Sequence, residues 1–311
     1  CRKADVLFDP QFYACLAAVD PASNLGNLGE EDAYEYFQPR RRSQLLSERQ
    51  LNADIDNVLR FQLDLPVTAI VGPNIIVPRS FDSTESAIAM DFIRNTGRRY
   101  AKIGDKRPIF ATLAAAREAL IDKEELLRFL NDVTVLDDRP DGFYVLIAVN
   151  STEARTEVYH ADVIAAWMFI NHVLKLNGYR VINGYSDILS PFLGAVGADA
   201  GATGWWSNLR SFSLDRFAPP SGGGRLPVER YLSCRLLNRI TYYELAQLRD
   251  VVPEILNGLP TDALYPEDSS QPQRNQEVLQ SWDAIRDLNN RLALKNVVDA
   301  LHGCLGALED A

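Results

Sequence analysis

The chain has 311 residues, of which 47% are hydrophobic and 24% are charged, and this balance excludes a disordered or fibrous protein. Its formal net charge of −10 argues against a general nucleic-acid binder. No apolar run reaches the roughly 20 residues that a membrane-spanning helix needs, so no membrane association is predicted.

Apolar runs that are typical of buried strands alternate with helical patterns along the first two thirds of the chain. A strand that is buried on both faces is a continuous apolar run, so this alternation predicts a parallel sheet covered by helices. The helices are predicted at residues 43–65, from 82 or 83 towards 97, from 113 through 130, at 161–176 and at 187–196. The strands are predicted at residues 5–9, 67–71, 108–112, 143–149 and 180–183, with three weaker candidates at 133–136, 199–203 and 229–233.

The predicted fold class is α/β. The strand count approaches eight, and most strands end in a polar residue that would lie on one face of a closed sheet. We therefore predict a (β/α)8-like barrel, regular or not, with extra C-terminal helices, and a doubly wound open sheet is the alternative. Residues 1–250 are predicted to form the barrel-like domain, with an excursion at 20–43, and residues 251–311 a helical extension packed on it.

Residues 181–210 are rich in glycine and other small residues. They contain Asn183-Gly184, Gly197-Ala198-Asp199 and Thr203-Gly204, in the order strand, turn, helix, strand and turn. This order resembles the late half of many phosphate-binding barrels, although Tyr185 stands where a second glycine is usual. The resemblance implies that Asn183, Tyr185 and Thr203 lie on the active face.

Two further features of this segment have structural interpretations. Asp187 stands at the predicted start of a helix, where an aspartate is a good N-cap. Trp205 and Trp206 are adjacent, so only one of them is expected to face the core, and the other is a candidate to line a pocket.

Residues 205–240 carry six arginines and only two acidic residues, whereas residues 241–311 carry five basic and twelve acidic residues. Arginine makes two parallel hydrogen bonds to a carboxylate or a phosphate. One interpretation is that Arg210, Arg216 or Arg230 binds an anionic ligand on the active face. The other interpretation is that the acidic C-terminal helices pair with all of them.

The chain offers few residues for catalysis. It has three histidines and lacks the H-E-x-x-H, G-x-S-x-G, P-loop and dinucleotide motifs, so the reaction and any cofactor stay unknown. Its four cysteines are scattered, which favours free thiols in the cytoplasm and predicts no metal site. By elimination, acid/base chemistry is assigned to Asp9 at the end of a predicted strand, although an Asp-Pro pair also begins turns.

Two functions remain open. The first is a barrel enzyme, a hydrolase or transferase, that acts by a carboxylate on a polar or anionic small substrate or on a single nucleoside or sugar unit. The second is a non-catalytic, barrel-derived protein that binds an acidic protein partner through the arginine-rich stretch at residues 205–240. For the enzyme, Asp9 is the predicted catalytic residue. The predicted substrate-binding residues are Asn74, Arg79, Asn150, Asn183, Tyr185, Thr203, Arg210, Arg216 and Arg230.

Overall fold

The computed structural model describes residues 5–30, 33–150, 152–153, 159–206, 209–219, 227–268, 270–293 and 296–310. The helices are α1 (Arg42–Leu45), α2 (Glu48–Leu63), α3 (Thr84–Ile103), α4 (Lys123–Thr134), α5 (Ala161–Leu176), α6 (Ser190–Ala195), α7 (Tyr242–Leu248), α8 (Arg274–Leu292) and α9 (Val297–Asp310). The strands are β1 (Ile70–Val71), β2 (Ile76–Val77), β3 (Ile109–Ala116), β4 (Gly142–Ala148), β5 (Arg180–Asn183), β6 (Ala200–Gly201), β7 (Arg230–Ser233) and β8 (Asn238–Thr241).

The centre of the fold is a parallel sheet of six strands. β1 and β2 are two short segments that both pair with β3, in registers that place Ile70 opposite Ile109 and Ile76 opposite Ala114. β4, β5 and β6 then follow in chain order, each parallel to the strand before it. The protein is therefore an α/β protein with a mostly parallel central sheet flanked by helices, as the alternating pattern predicts.

Closure of the sheet into an eight-stranded barrel is not shown. In the part of the chain that the structure describes, β1 and β6 lie at opposite ends of the sheet, while β7 and β8 form a separate antiparallel pair. Residues 5–9 are not a regular strand, although the backbone of Val6 is hydrogen-bonded to Thr68 beside β1.

The strand predicted at residues 133–136 is wrong, because α4 continues to Thr134. The apolar side chains of Leu126, Phe129, Leu130 and Val133 recur at helical spacing and are all buried. This spacing extends the helix through the apolar residues that suggested a strand.

Burial explains why β3 and β4 are the long strands. All eight residues of β3 are buried, and six of the seven residues of β4 are buried. Residues 67–70 and 144–149, in two of the apolar runs predicted as strands, are likewise buried, with two exceptions at Thr68 and Tyr144. Thr68 contacts Val6, and Tyr144 reaches the candidate site described below.

The C-terminal helices pack on the sheet domain. α8 contacts α6 and β7, and α9 contacts α6, so Ala284 and Leu288 of α8 and Cys304 of α9 share the main hydrophobic core. A smaller second core contains Tyr231, Leu245, Ile255 and Tyr265. The predicted division into a domain of residues 1–250 and an extension of residues 251–311 stays a prediction. Cys15, Cys234 and Cys304 are buried free thiols, as predicted, whereas Cys1 lies outside the described residues.

None of the described helices combines the length and the apolar character that crossing a membrane requires.

Gly97 and Gly306 are helical glycines in opposite surroundings. A Cβ at Gly97 would lie 2.3 Å from the backbone oxygen of Asp138, whereas a Cβ at Gly306 would meet no atom within 4 Å. Alanine in a helix interior is favoured over glycine by about 1 kcal/mol, but overpacking against backbone costs about 1–3 kcal/mol. We expect Gly97→Ala to lower the free energy of unfolding and Gly306→Ala to raise it, as measured by chemical denaturation. A rise in both variants would contradict the close approach of the 138–139 loop to α3.

Candidate functional site

The candidate site lies where the segment after residue 5 meets β4 and the end of β5. Asp9 stands in this segment, Tyr144 projects from β4, and Tyr185 follows β5 by two residues. Gly184 leaves room for Tyr144, because a Cβ at this glycine would lie 2.5 Å from the tyrosine oxygen. All three side chains are half-buried, so each is largely removed from solvent but keeps some contact with it.

The two oxygens of the Asp9 carboxylate have different partners. Oδ1 accepts a hydrogen bond of 3.0 Å from the backbone N–H of Gln11, which forms the turn that an Asp-Pro pair predicts. Oδ2 accepts hydrogen bonds from the hydroxyls of Tyr13, at 2.8 Å, and Tyr144, at 3.3 Å. The Asp-Pro turn therefore accounts for the hydrogen bond to Oδ1, and the hydroxyls of Tyr13 and Tyr144 bind Oδ2.

Burial raises the pKa of Asp9 above the ordinary value of an aspartate, against the opposing effects of the hydrogen bonds from Gln11, Tyr13 and Tyr144 and the charge of Arg216. Burial, together with the negative charge of Asp9, also raises the pKa of Tyr13, Tyr144 and Tyr185, which stay protonated as donors. A carboxyl group whose pKa is raised keeps its proton to a higher pH than an ordinary aspartate, which suits it to donate and accept a proton.

Arg216 supplies positive charge beside this carboxylate. Its guanidinium lies 5.0 Å from the ring centroid of Tyr185 and 5.4 Å from that of Phe212. Of the three arginines predicted to bind an anion, Arg216 is the one that the structure brings to Asp9 and Tyr185.

Unusual backbone conformations cluster around the site. Four described residues other than glycine have a positive φ: Gln11 at 47°, Tyr185 at 54°, Asp187 at 36° and Leu237 at 47°. Leu237 lies in the turn between β7 and β8, but Gln11, Tyr185 and Asp187 lie at or next to the candidate site. Holding a residue other than glycine at a positive φ costs free energy, and such strained residues cluster at functional sites.

A buried charge network, formed by Asp187, Arg239, Arg210 and Glu277, lies next to the site. Asp187 pairs with Arg239 at 2.5 Å and accepts a hydrogen bond from Thr203. Arg210 pairs with Glu277 of α8 at 2.9 Å. Asp187 is thus not the helix cap that the sequence predicts. Arg210 contacts an acidic residue of the C-terminal region, which is the second of the two interpretations of the arginines.

Two of the predicted substrate-binding asparagines are buried, and their amides are engaged within the protein. The Asn74 amide donates to the backbone oxygens of Thr112 and Ala89 and accepts from the N–H of Ile75. Asn183 accepts from the indole N–H of Trp167 at 2.7 Å and exchanges hydrogen bonds with Asn171. These contacts hold the segment between β1 and β2 to β3 and α3, and they hold β5 to α5.

The remaining predicted residues are Asn150, Arg79 and Arg230. Asn150 is exposed, and its side chain accepts from the backbone N–H of Glu153, which forms an ion pair of 3.0 Å with Arg117. Arg79 is exposed after β2, and Arg230 begins β7. Their assigned roles stay predictions.

Sequence reasoning missed the tyrosines of the site. Tyr13 follows Asp9 by four residues and lies in a short helical turn, and Tyr144 is the one polar aromatic residue in the apolar run of β4. A tyrosine in a strand that is otherwise fully buried needs a partner for its hydroxyl. That requirement was the available signal for Tyr144.

Among the residues that the structure describes, no group of three or more His, Cys, Asp or Glu side chains is arranged to hold a metal ion. The site therefore offers one carboxyl group, three tyrosine hydroxyls and a guanidinium. Such a set can transfer a proton and bind a negative group.

The fold and site define an α/β protein with an aspartate–tyrosine cluster on a parallel sheet. Comparison with known proteins finds no relative: no family model, no curated protein and no solved structure matches the chain.

Proposed function

We propose that the protein is an enzyme, a hydrolase or transferase, in which Asp9 transfers a proton to or from a polar or anionic small substrate. A single nucleoside or sugar unit fits this class. The observation that carries the proposal is the second oxygen of Asp9. The Asp-Pro turn uses only Oδ1, while Oδ2 is held by Tyr13 and Tyr144 in an environment that raises the pKa of the carboxyl group.

The other residues have defined roles in this proposal. Tyr13 and Tyr144 orient the Asp9 carboxyl group, because both hydroxyls point at the same oxygen. Arg216 binds the negative group of the substrate, and Tyr185, under the guanidinium, positions it. The positive φ angles of Gln11 and Tyr185 support the proposal, because backbone strain of this kind clusters at active sites and ligand-binding sites.

A barrel-like arrangement is part of the same proposal. Two hydrogen bonds of 2.8 Å join Val6 and Thr68, so the segment that leads to Asp9 runs beside the start of β1. This contact supports a sheet that is extended beyond β1 by the N-terminal segment. In a barrel, catalytic groups lie at the carboxyl ends of the strands, where Tyr185 lies.

The alternative function, binding of an acidic partner by residues 205–240, has less support. Arg210 and Arg239 are buried and pair with Glu277 and Asp187, so neither guanidinium is presented to a partner. Arg225 lies outside the described residues. The exposed Arg235 and the half-buried Arg216 and Arg230 are left to form such a surface.

Asp9→Asn tests the enzyme proposal, and Asp20→Asn is its matched control. Asp20 also precedes a proline and accepts from the N–H two residues later, at 2.9 Å, but it is exposed. Turnover would be measured on chromogenic glycosides, sugar phosphates, nucleosides and nucleotides. We expect Asp9→Asn to lower turnover of the active substrate at least ~100-fold, the scale of a positioned acid/base group, with a thermal midpoint within a few degrees of wild type. Asp20→Asn should retain full turnover.

Stability gives a second readout of the same variant. A carboxyl group whose pKa is raised on folding stabilises the protein below its unfolded pKa, and that stabilisation is lost as the pH rises through the folded pKa. The stability of Asp9→Asn relative to wild type should therefore increase from pH 4 to pH 7. A fall in the thermal midpoint with turnover retained would make Asp9 a structural turn residue. Absence of turnover by the wild type on all four substrate classes would contradict the enzyme proposal.

A further inference from the structure

Three of the four tryptophans of the chain are exposed to solvent. The exposed fractions of Trp205, Trp206 and Trp282 are 60%, 53% and 43%, whereas Trp167 is buried. The prediction that one member of the Trp205–Trp206 pair faces the core is therefore wrong. A large aromatic side chain is rarely left in water, and an exposed group of them marks a binding surface.

Trp282 lines an open cleft of about 520 Å³ between β6, α6 and α8. Its other walls include Ser190 of α6, Thr203 after β6, and Arg286 and Asn289 of α8. This volume lies within the range of roughly 300–1,000 Å³ that is usual for small-molecule sites. The cleft is separate from the aspartate–tyrosine cluster, because none of its lining residues belongs to that cluster.

The other two exposed tryptophans do not line the cleft, but they stand close in sequence to Thr203, which does. Trp205 and Trp206 follow Thr203, and the ring of Trp206 lies 5.7 Å from the guanidinium carbon of Arg274 at the start of α8. Trp282 stands eight residues further along this helix, which is a rise of about 12 Å. The rings of Trp206 and Trp282 are therefore both associated with α8, over a length that suits an extended ligand.

The charges of the cleft are compensated within the protein. Arg286 pairs with Asp283, and Asp199 pairs with Lys175 at 2.7 Å. Asp199 also accepts from the backbone N–H of Val181. Each charged side chain of the cleft thus has an oppositely charged partner, and Arg286 stays largely exposed to solvent. The Asn289 amide, together with the Ser190 and Thr203 hydroxyls, which also bond to Ser186 and Asp187, suits a neutral, hydrogen-bonding ligand.

We propose that this cleft binds a neutral saccharide chain, with one sugar ring stacked on Trp282 and its hydroxyls bound by Asn289 and Ser190. A pyranose ring presents an apolar face of C–H groups to an aromatic ring and a rim of hydroxyls to polar side chains, and the cleft has both kinds of surface. The cleft is open to solvent, so a longer chain can extend beyond it. The proposal does not depend on the proposed catalytic role of Asp9.

Affinity electrophoresis of the full chain tests the proposal, in native gels that contain starch, xylan, mannan, hydroxyethyl cellulose or mixed-linkage β-glucan. We expect at least one of these neutral polysaccharides to retard the wild type. Trp282→Ala should weaken that binding at least about tenfold, since it removes the stacking surface, and Trp282→Phe should restore part of it. Asn289→Ala should weaken binding by a smaller factor.

Tyr243→Ala is the matched control, because Tyr243 is an aromatic residue of α7 with 46% exposure that does not line the cleft. This variant and Asp9→Asn should bind like the wild type, so failure of the saccharide site and failure of the catalytic proposal are distinguishable. The proposal is overturned if none of the five polysaccharides retards the wild type. It is equally overturned if Trp282→Ala is retarded as strongly as the wild type.

Discussion

Replacement of Asp187 by asparagine is expected to lower the free energy of unfolding by about 3–5 kcal/mol, the cost of removing one partner from a buried ion pair. The Arg239 and Asp187 side chains retain 1% and 3% of their exposure, so the variant leaves a guanidinium buried without its carboxylate. Asparagine is the suitable replacement because it tolerates the positive φ of 36° at this position. Chemical denaturation at pH 7 measures the loss.

The same variant has a defined pH dependence. Burial raises the pKa of Asp187, but the charge and hydrogen bonds of Arg239, with Thr203 and Arg210, outweigh burial and lower it. A lowered pKa means that the carboxylate stabilises the protein above the unfolded pKa of about 4, and that this stability is lost as the pH falls through the folded pKa. The difference between wild type and Asp187→Asn should therefore be full at pH 7 and shrink under strong acid.

Asp287→Asn is the control for this prediction. Asp287 pairs with Arg291 at 3.0 Å, but these side chains are 35% and 55% exposed, so its replacement should cost less than about 1 kcal/mol. A second control is the double variant Asp187→Asn with Arg239→Met, which should recover part of the loss because it also removes the buried charge. A loss below 1 kcal/mol for Asp187→Asn alone would mean that water reaches Arg239.

Asn183→Leu is expected to cost about 2–6 kcal/mol, taking about 1–3 kcal/mol for each of the two buried partners that it leaves unsatisfied. These partners are the indole N–H of Trp167 and the amide of Asn171. Leucine keeps the branching at Cγ and is larger than asparagine, so the variant leaves no cavity and the loss reports the broken hydrogen bonds together with the fit of the methyl groups. Chemical denaturation measures it.

Asn177→Leu is the matched control for Asn183→Leu. Asn177 also uses its amide, bonded to the backbone oxygen of Val173 at 2.8 Å, but it is exposed at the end of α5. Its replacement should change the stability by no more than about 0.5 kcal/mol. If the two variants are equally stable and Asn183→Leu instead raises the KM of the active substrate, the predicted role of Asn183 in substrate binding is correct.

Sequence patterns predicted correctly those helices and strands whose ends are set by neighbouring turn and cap residues. The helix predicted at residues 161–176 is α5, because Asn177-Gly178 ends it with a glycine at φ 81° and His160 caps its start. The strand predicted at residues 143–149 is β4 within one residue at each end. Both elements are long apolar segments between turn signals, which is the case in which periodicity is most informative.

Closure of the sheet could not be predicted in the same way. The antiparallel pairing of β7 with β8 and the separation of this pair from the parallel sheet depend on contacts that no local pattern encodes. An apolar run such as residues 133–136 can also continue a helix, and α4 shows that it does so here. Counting such runs therefore gave too many parallel strands.

The candidate site was predicted in part. Asp9, Tyr185 and Arg216 were selected from the sequence for their positions, and the structure brings the three together. Tyr13 and Tyr144 were not selected, because they belong to the site only through hydrogen bonds to Asp9, which the sequence does not show. The pairing of Asp187 with Arg239 joins residues 52 positions apart, a distance over which charge patterning identifies no partner.

The order of the strands has a consequence for folding during synthesis. β3, β4, β5 and β6 each join the strand that left the ribosome just before, so the parallel sheet can grow at one edge as the chain emerges. Asp187 and Arg210 are made early in this sequence, but their neutralising partners Arg239 and Glu277 follow 52 and 67 residues later. We therefore expect a nascent chain that ends before Arg239 to form most of the sheet and keep these two charges hydrated. Neutralisation of Arg210 then waits for the C-terminal helix that carries Glu277 to dock.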